Sequence, residues 1–195
     1  MSTPTPASSP HWMALPRAET AIVVVDVQER LFSAMDPDHR EEVMKNVKVL
    51  VAAARRLGLP TLVTEQYPKG LGHTLEELRL ALGPEAEPMA KVAFSCARVE
   101  AFRQRLAATG ARHVVLSGIE AHVCVLMSAL DLMADGYTVH VAADAVTSRT
   151  QANWRLAMDQ LRQAGAVVTP TESVLFQLLG QADTPDFREL ARLVR

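Results

Sequence analysis

The stretch from residue 112 to residue 149 constrains the fold of this 195-residue chain more than any other part of it. It begins with an apolar run at 114–116 that ends in Ser-Gly, continues through an amphipathic segment, and closes with a second apolar run at 137–143. This order predicts strand, turn, helix and parallel strand, the βαβ unit of an α/β protein. Parallel sheets place ligands beyond the carboxyl ends of their strands, and Cys124 falls at such an end.

Cys124 also lies near the N-terminus of the predicted helix. Unpaired N–H groups and the helix dipole favour an anion there, so the position suits a reactive thiolate. A buried structural cysteine fits it equally well, and the stretch alone does not separate the two interpretations. The second cysteine, Cys96, is interpreted as a small buried apolar residue, because no CxxC motif connects the two thiols.

Composition indicates one globular domain, since 49% of the residues are hydrophobic and supply a sizeable core. The formal net charge of -2 gives no signal for a nucleic-acid partner. No apolar run reaches membrane-spanning length, and the first residues lack the features of a secretory signal. Two cysteines do not make a disulfide framework, so we expect a reduced, cytoplasmic location.

Residues 1–17 are predicted to form a flexible N-terminal arm, because they contain four prolines and many Ser and Thr residues. The domain itself is predicted to span residues 18–195. Trp12, Met13 and Leu15 are expected to pin the end of the arm to the domain or to a neighbouring subunit.

The rest of the chain alternates predicted strands and helices. Residues 20–26 form a continuous β-branched run ending in a carboxylate, which indicates a strand covered on both faces. The other predicted elements are a helix at 38–57, a strand at 60–64, a polar loop at 65–73, a short helix near 74–82, an extended piece at 91–94, helices at 100–108 and 153–164, a strand at 166–168, a helix at 172–179 capped by Thr171, and a terminal helix at 185–194. This order predicts a doubly wound, mainly parallel sheet with helices on both faces.

Three polar side chains follow separate apolar runs. Asp26 ends the first strand, Lys91 follows a loop, and Cys124 follows the strand at 114–116. Taken singly, Asp26 fits a helix cap and Lys91 a solvated surface charge. Asp144, at the end of the second run, is interpreted as making structural hydrogen bonds.

Four motifs in this order resemble the isochorismatase-like cysteine hydrolases. They are IVVVDVQ at 22–28, KVAFS at 91–95, GIEAHVC at 118–124 and DGYTVHVAADA at 135–145, and the resemblance covers residues 18–179. It implies a Rossmann-like three-layer α/β/α sandwich with a triad of Asp26, Lys91 and Cys124. On this resemblance Asp26 takes the thiol proton and later activates water, Lys91 stabilises the thiolate, and Cys124 attacks a carbonyl or imidate-like carbon.

The resemblance also implies a non-proline cis peptide between Ile119 and Glu120. In the family this bond turns backbone N–H groups, here those of Glu120 and Cys124, toward the developing oxyanion. Because a helix N-terminus and Lys91 both favour the anion, we expect Cys124 to be a thiolate at neutral pH.

Substrate contacts are expected from the motifs and from the loop after the second strand. The candidates are Gln28, Glu65, Tyr67, Phe94 and His122, with His73 beside them. For His122, packing next to the nucleophile is an equal alternative. Nicotinamidases of the family carry an Asp-x-His…His metal cluster where this chain has TEQYPKGLGH at 64–73, so we expect no metal and no other cofactor.

The function implied is metal-independent hydrolysis of a small amide, imide or related C–N bond through a thioester-type intermediate. The loop is similar to that of the isochorismatase-domain-containing branch. One alternative is an isochorismatase-type vinyl-ether hydrolase, in which the Asp is the acid and no thiol is needed. Another is a non-catalytic binding or scaffold protein. The expected partners are a small-molecule substrate and other copies of the chain in a homo-oligomer, with no nucleic acid and no membrane.

Overall fold

The β-branched run near the N-terminus forms the central strand of a six-stranded parallel sheet in the computed structural model, which describes residues 11–195. The strands are Thr20–Val25 (β1), Thr61–Gln66 (β2), Met89–Lys91 (β3), His113–Ile119 (β4), Thr138–Thr147 (β5) and Val167–Thr169 (β6). The helices are Glu29–Ser33 (α1), Arg40–Leu57 (α2), Pro68–Leu71 (α3), Glu76–Leu82 (α4), Glu100–Ala108 (α5), Leu126–Ala134 (α6), Gln151–Ala164 (α7), Thr171–Leu179 (α8) and Pro185–Leu190 (α9). None of these helices is both long and apolar enough to cross a membrane.

Helices cover both faces of the sheet, which confirms the predicted three-layer fold. Ile22 and Val24 of β1 pack into a core shared with α2, α4 and α8. Val23 and Val25, which point to the opposite face, pack with α5, α6 and α7. All six residues of β1 are buried, and full burial of such a side chain contributes about 1.5–3 kcal/mol.

The strand order is β3-β2-β1-β4-β5-β6, so the chain reverses direction across the sheet between β1 and β4. In doubly wound sheets this reversal opens a crevice at the carboxyl ends of the two strands. Gly118 permits the close approach of β4 to β1: its φ is +106°, and a Cβ there would overlap the carbonyl oxygen of Val25. Asp26 and the segment leading to Cys124 therefore emerge side by side.

Several boundaries differ from the sequence predictions. The second strand continues to Gln66, so Glu65 lies in a strand and not in a loop. The third strand ends at Lys91, whereas an extended piece was predicted to begin there. The last helix is α-helical only to Leu190 and finishes as a 3₁₀ turn at Ala191–Val194.

Asp144 lies inside β5, where the register against β4 shifts, and not at the end of the strand. Its Oδ1 accepts hydrogen bonds of 2.7 Å from both the N–H and the hydroxyl of Thr171. The structural role predicted for Asp144 is thus confirmed. Thr171 does not cap its own helix, because its hydroxyl is donated to this carboxylate.

The part of the N-terminal arm that the structure describes lies against the domain. Leu15 is buried in the core, and its N–H donates to Oε1 of Gln177, whereas Trp12 and Met13 are exposed. Arg17–Glu19 then form one 3₁₀ turn before β1. The predicted flexibility of the arm concerns mainly residues 1–10, which lie outside the described residues.

A buried histidine in β5 makes the fold acid-sensitive. His140 is fully buried with its Nε2 3.4 Å from Nδ1 of His113, and burial lowers the pKa of His140 to about 4. In the unfolded chain His140 binds a proton near pH 6.5, whereas in the folded chain it stays neutral until the pH approaches 4. His140 therefore stabilises the fold fully above that pH, and the contribution is lost as the pH falls toward 4.

We expect about 2–3 kcal/mol of unfolding free energy to be lost through His140 between pH 7 and pH 4.5. Urea unfolding at both pH values should show a smaller loss in His140→Leu than in wild type. His113, whose own pKa is lowered by burial against the effect of Glu19, also lowers the pKa of His140, so His113→Asn should reduce the acid loss only in part. Equal acid losses in wild type and His140→Leu would contradict the assignment.

Candidate active site

A buried ion pair lies at the carboxyl edge of the sheet, beside the crevice. Asp26 follows β1 with a left-handed φ of +53°, a conformation that Asp tolerates better than most residues. Lys91 is the last residue of β3, and its Nζ lies 2.6 Å from Oδ2 of Asp26. Both side chains are 0% exposed, so each charge is balanced by the other rather than by water.

Neighbouring groups form hydrogen bonds to Lys91 and to the other carboxylate oxygen of Asp26. Lys91 Nζ donates to Oε1 of Gln66 at 2.6 Å and to the carbonyl oxygen of Phe94 at 2.9 Å. Asp26 Oδ1 accepts a 2.8 Å hydrogen bond from the hydroxyl of Thr64. The sequence analysis missed Thr64 and Gln66. Their alternate spacing at the end of β2, the strand next to β1, was the available signal.

Cys124 lies across the crevice from this pair, after β4. It lies in a π-helical turn, Ala121–Val125, that leads from β4 into α6, and it is 6% exposed. Both members of the pair act on its thiol: the charge of Asp26 raises the pKa of Cys124 and that of Lys91 lowers it. The structure thus brings together the three side chains that the sequence motifs singled out.

The expected resting thiolate is wrong for this geometry. The pKa of Cys124 is raised to about 12, mainly by burial and also by the charge of Asp26, and Lys91 opposes both only in part. The sequence argument counted the nearby positive charges but not the loss of water. Burial also raises the pKa of Asp26, against the opposing effects of Lys91 and Thr64. The resting thiol is therefore protonated and next to a carboxylate of enhanced basicity.

Cys96 has the role expected from its sequence. It is fully buried, its N–H is hydrogen-bonded to Oγ of Ser128 at 2.9 Å, and burial raises the pKa of its thiol to about 12. Such a thiol packs as a small apolar residue.

Two of the proposed substrate contacts instead support the backbone. The fully buried amide of Gln28 donates to the carbonyl oxygens of Gln66 and Gly72 at 3.0 and 2.6 Å, and accepts from the N–H of Gln66 at 2.6 Å. Glu65 is also buried and accepts from the N–H and the hydroxyl of Thr74 at 2.6 and 2.8 Å. With these groups occupied, we assign Gln28 and Glu65 a structural role in place of the expected substrate contact.

The segment at residues 64–73, which begins in β2, contains one candidate pair of metal ligands. Oε2 of Glu65 lies 3.1 Å from Nδ1 of the exposed His73. Within residues 11–195 no group of three or more His, Cys, Asp or Glu side chains is arranged to hold a metal ion. That the protein works without a metal remains a prediction.

Two exposed aromatic residues flank Lys91. Tyr67 is 54% exposed, and its N–H donates to the carbonyl oxygen of Lys91 at 2.8 Å. Phe94 is 52% exposed, and its carbonyl oxygen accepts from Lys91 Nζ. Both rings are available to a molecule approaching this edge of the sheet, and their substrate contacts remain predictions.

The peptide bond between Ile119 and Glu120 is cis. The side chain of Glu120 accepts a 2.9 Å hydrogen bond from Nε of Arg149. The ring of His122 contacts Oγ of Ser148 at 2.9 Å and Nδ2 of Asn153 at 3.4 Å. Both ring nitrogens of His122 thus have partners in the β5–α7 region, and a contact between His122 and substrate remains a prediction.

The fold and this cluster define a doubly wound α/β protein with a cysteine, a carboxylate and a lysine gathered where the strand order reverses. A family model for the isochorismatase domain matches residues 20–173, and the chain belongs to the isochorismatase family. Isochorismatase domain-containing protein 1 of Salmo salar is 37% identical over 178 residues, which are 91% of this chain and 62% of that protein. The chain thus spans less than two-thirds of this relative.

Solved structures show the same architecture. The MAR1 ribonuclease from Caenorhabditis elegans superposes with a TM-score of 0.86 and 38% identity, over 93% of this chain and 92% of that one. The YcaC gene product from Escherichia coli, described as an octameric hydrolase of unknown specificity, superposes with a TM-score of 0.85 and 26% identity, over 95% and 92% of the two chains. The similarity thus extends to a hydrolase.

Proposed function

We propose that the chain is a metal-independent cysteine hydrolase that cleaves the C–N bond of a small neutral amide, imide or related compound. The observation that supports this most is a nearly buried Cys124 thiol that interacts electrostatically with a fully buried Asp26–Lys91 ion pair. A carboxylate next to a protonated thiol is arranged for proton transfer during nucleophilic attack.

In the first step Sγ of Cys124 forms a bond to the carbonyl carbon while its proton passes to Asp26. The carbonyl π electrons move to the oxygen, where the N–H groups of Glu120 and Cys124 are proposed to stabilise the oxyanion. Lys91 remains a cation throughout. It stabilises the negative charge first on the carboxylate of Asp26 and then, as the thiol loses its proton, on the sulfur.

In the second step the C–N bond breaks and Asp26 gives its proton to the leaving nitrogen, which departs as ammonia or an amine. The acyl group is left on Cys124 as a thioester. Asp26 then takes a proton from water, and the resulting hydroxide attacks the thioester carbon. The C–S bond breaks, the acid departs, and the sulfur recovers the proton from Asp26.

The charges around Cys124 favour a neutral substrate. Lys91 is neutralised by Asp26 at 2.6 Å, and Arg149 by Glu120 at 2.9 Å. Neither of these two cations is free to receive a dicarboxylate such as isochorismate, or a phosphodiester, once that anion is desolvated. The same argument disfavours ribonuclease activity, the description given to the Caenorhabditis elegans protein.

Two alkylating reagents of similar size test both the thiol and the preference for neutral molecules. We expect iodoacetamide to label Cys124 at least about tenfold faster than iodoacetate, because the anion must lose water beside Asp26, and tenfold corresponds to about 1.4 kcal/mol. Rates at pH 9 are divided by those of a free cysteine peptide, and the labelled peptide separates Cys124 from Cys96. A normalised ratio near one, or faster labelling by iodoacetate, would contradict the neutral site.

We also propose a homo-oligomer, supported by the octameric assembly described for the Escherichia coli neighbour. Light scattering at micromolar concentration should give a mass above that of one chain.

A cytoplasmic location is proposed from the two unpaired cysteines. Recovery of the protein in a secreted fraction would contradict this location.

A further inference from the structure

We propose that residues 148–153, the β5–α7 connection together with the first turn of α7, position the nucleophile by clamping the segment that precedes it, residues 120–122. Glu120 and His122 are then positioning residues and not substrate contacts. This inference rests on the proposed function only in assigning Cys124 as the nucleophile. The clamp consists of two ties, one from each residue.

The first tie joins Glu120 to Arg149. Oε2 of Glu120 accepts from Nε of Arg149 at 2.9 Å and from the backbone N–H of Arg149 at 3.3 Å. The carboxylate is 10% exposed, whereas the arginine side chain is 58% exposed. The guanidinium thus reaches in from the surface, and the backbone N–H ties the same carboxylate to the main chain.

The second tie joins His122 to Ser148 and Asn153. The amide nitrogen of Asn153 can only donate, so Nε2 of His122 accepts at 3.4 Å. Nδ1 then carries the ring proton and donates to Oγ of Ser148 at 2.9 Å. Both ring nitrogens are thereby used, and the ring connects residue 122 to the first turn of α7.

The 148–153 connection is itself held in place. The carbonyl oxygen of Ser148 accepts from the N–H of Asp36 at 3.2 Å. The hydroxyl of Thr150 caps α7 by accepting from the N–H of Asn153 at 3.2 Å. The clamp therefore joins the segment before Cys124 to a fixed part of the domain.

The ties act through geometry. Burial, Asp26 and Lys91 govern the pKa of Cys124, so the charge of Glu120 or Arg149 is not required to set it. If the clamp loosens, the thiol can move out of its buried place, and its pKa should fall toward the value of about 8.5 of an ordinary cysteine. Labelling of Cys124 should then become faster and catalysis slower while the fully buried Cys96 stays unlabelled, whereas a general loss of stability would expose both thiols.

The test uses Arg149→Met and Asn153→Ala, singly and combined, with iodoacetamide as the probe and circular dichroism to verify folding. We expect Cys124 in the folded double variant to be labelled at least about tenfold faster than wild type at pH 8, with the midpoint of the pH profile moved to lower pH. Arg149→Lys keeps the positive charge but loses the Nε donor, so it should give an intermediate labelling rate. Arg98→Met, which removes the Arg98–Asp131 ion pair on the exposed side of α6, is the matched control and should label like wild type.

With any amide that the wild type hydrolyses, kcat should fall in the clamp variants while KM stays within about twofold. If the double variant does not fold, the two single variants decide the matter with the same readouts. Labelling rates within twofold of wild type in folded variants, or an equal increase in Arg98→Met, would overturn the clamp. Failure of wild type to hydrolyse amides would instead count against the proposed function, because labelling needs no substrate.

Discussion

Lys91→Met is expected to lower the free energy of unfolding by about 3–5 kcal/mol at pH 7, because it leaves the carboxylate of Asp26 buried without its counter-ion. Lys91 also holds Gln66 and the carbonyl oxygen of Phe94, so the variant loses these hydrogen bonds as well. Urea unfolding followed by circular dichroism measures the change. The loss should shrink as the pH is lowered, since protonation of Asp26 removes the unpaired charge.

The double variant Asp26→Asn/Lys91→Met is the control for this prediction. It removes both charges, so it should recover a large part of the unfolding free energy that Lys91→Met loses. Amide turnover should not return. A Lys91→Met protein within about 1 kcal/mol of wild type would show that water or another group reaches Asp26, and the buried pair would not have the role given to it here.

Asp26→Asn is expected to lower turnover of an amide by about 10³-fold, because an asparagine cannot take the thiol proton or activate water. The same change removes the negative charge that raises the pKa of Cys124, so iodoacetamide labelling near neutral pH should become faster. Cys96, which is fully buried and should stay unlabelled in folded protein, distinguishes loss of a base from loss of folding.

The control for this variant is Asp131→Asn, which removes a carboxylate that pairs with Arg98 at the surface of α6. Turnover and labelling should both stay close to wild type there. If Asp26→Asn retained turnover within tenfold of wild type, Asp26 would not be the proton acceptor.

The fold was largely predictable because its central elements carry strong local signals. The continuous β-branched run of β1 and the glycine-terminated helices α2 and α5 lie within two residues of their predicted bounds. Weaker elements were displaced. β3 has only three residues, too few for a pattern, and β5 passes through an irregularity that no local preference specifies.

The motifs also identified the three side chains at the crevice, but not their surroundings. Gln66 lies 25 residues from Lys91 in the chain, and Arg149 lies 29 residues from Glu120. Such pairs depend on register and rotamer, which follow from the packing of the whole domain. Gln28 is the opposite case: it belongs to a motif, yet its side chain forms hydrogen bonds with the backbone of Gln66 and not with the three side chains at the crevice.

The protonation state of Cys124 was the least predictable property. A position near a helix N-terminus favours a thiolate and is visible in the sequence, and a neighbouring lysine, which the family resemblance implied, favours it too. Desolvation acts in the opposite direction and is the largest cause of the raised pKa. Its size depends on burial by α6 and the neighbouring strands, and only the folded structure provides that information.

The most direct measurement of the central claim is the mass of the protein during turnover. Wild type and Cys124→Ala are mixed with a panel of small neutral amides and imides, quenched in acid and analysed by mass spectrometry, while released ammonia or amine is assayed in parallel. The account predicts turnover by wild type with the acyl mass carried on Cys124, and neither in Cys124→Ala. Turnover that persists in Cys124→Ala within tenfold of wild type would contradict it.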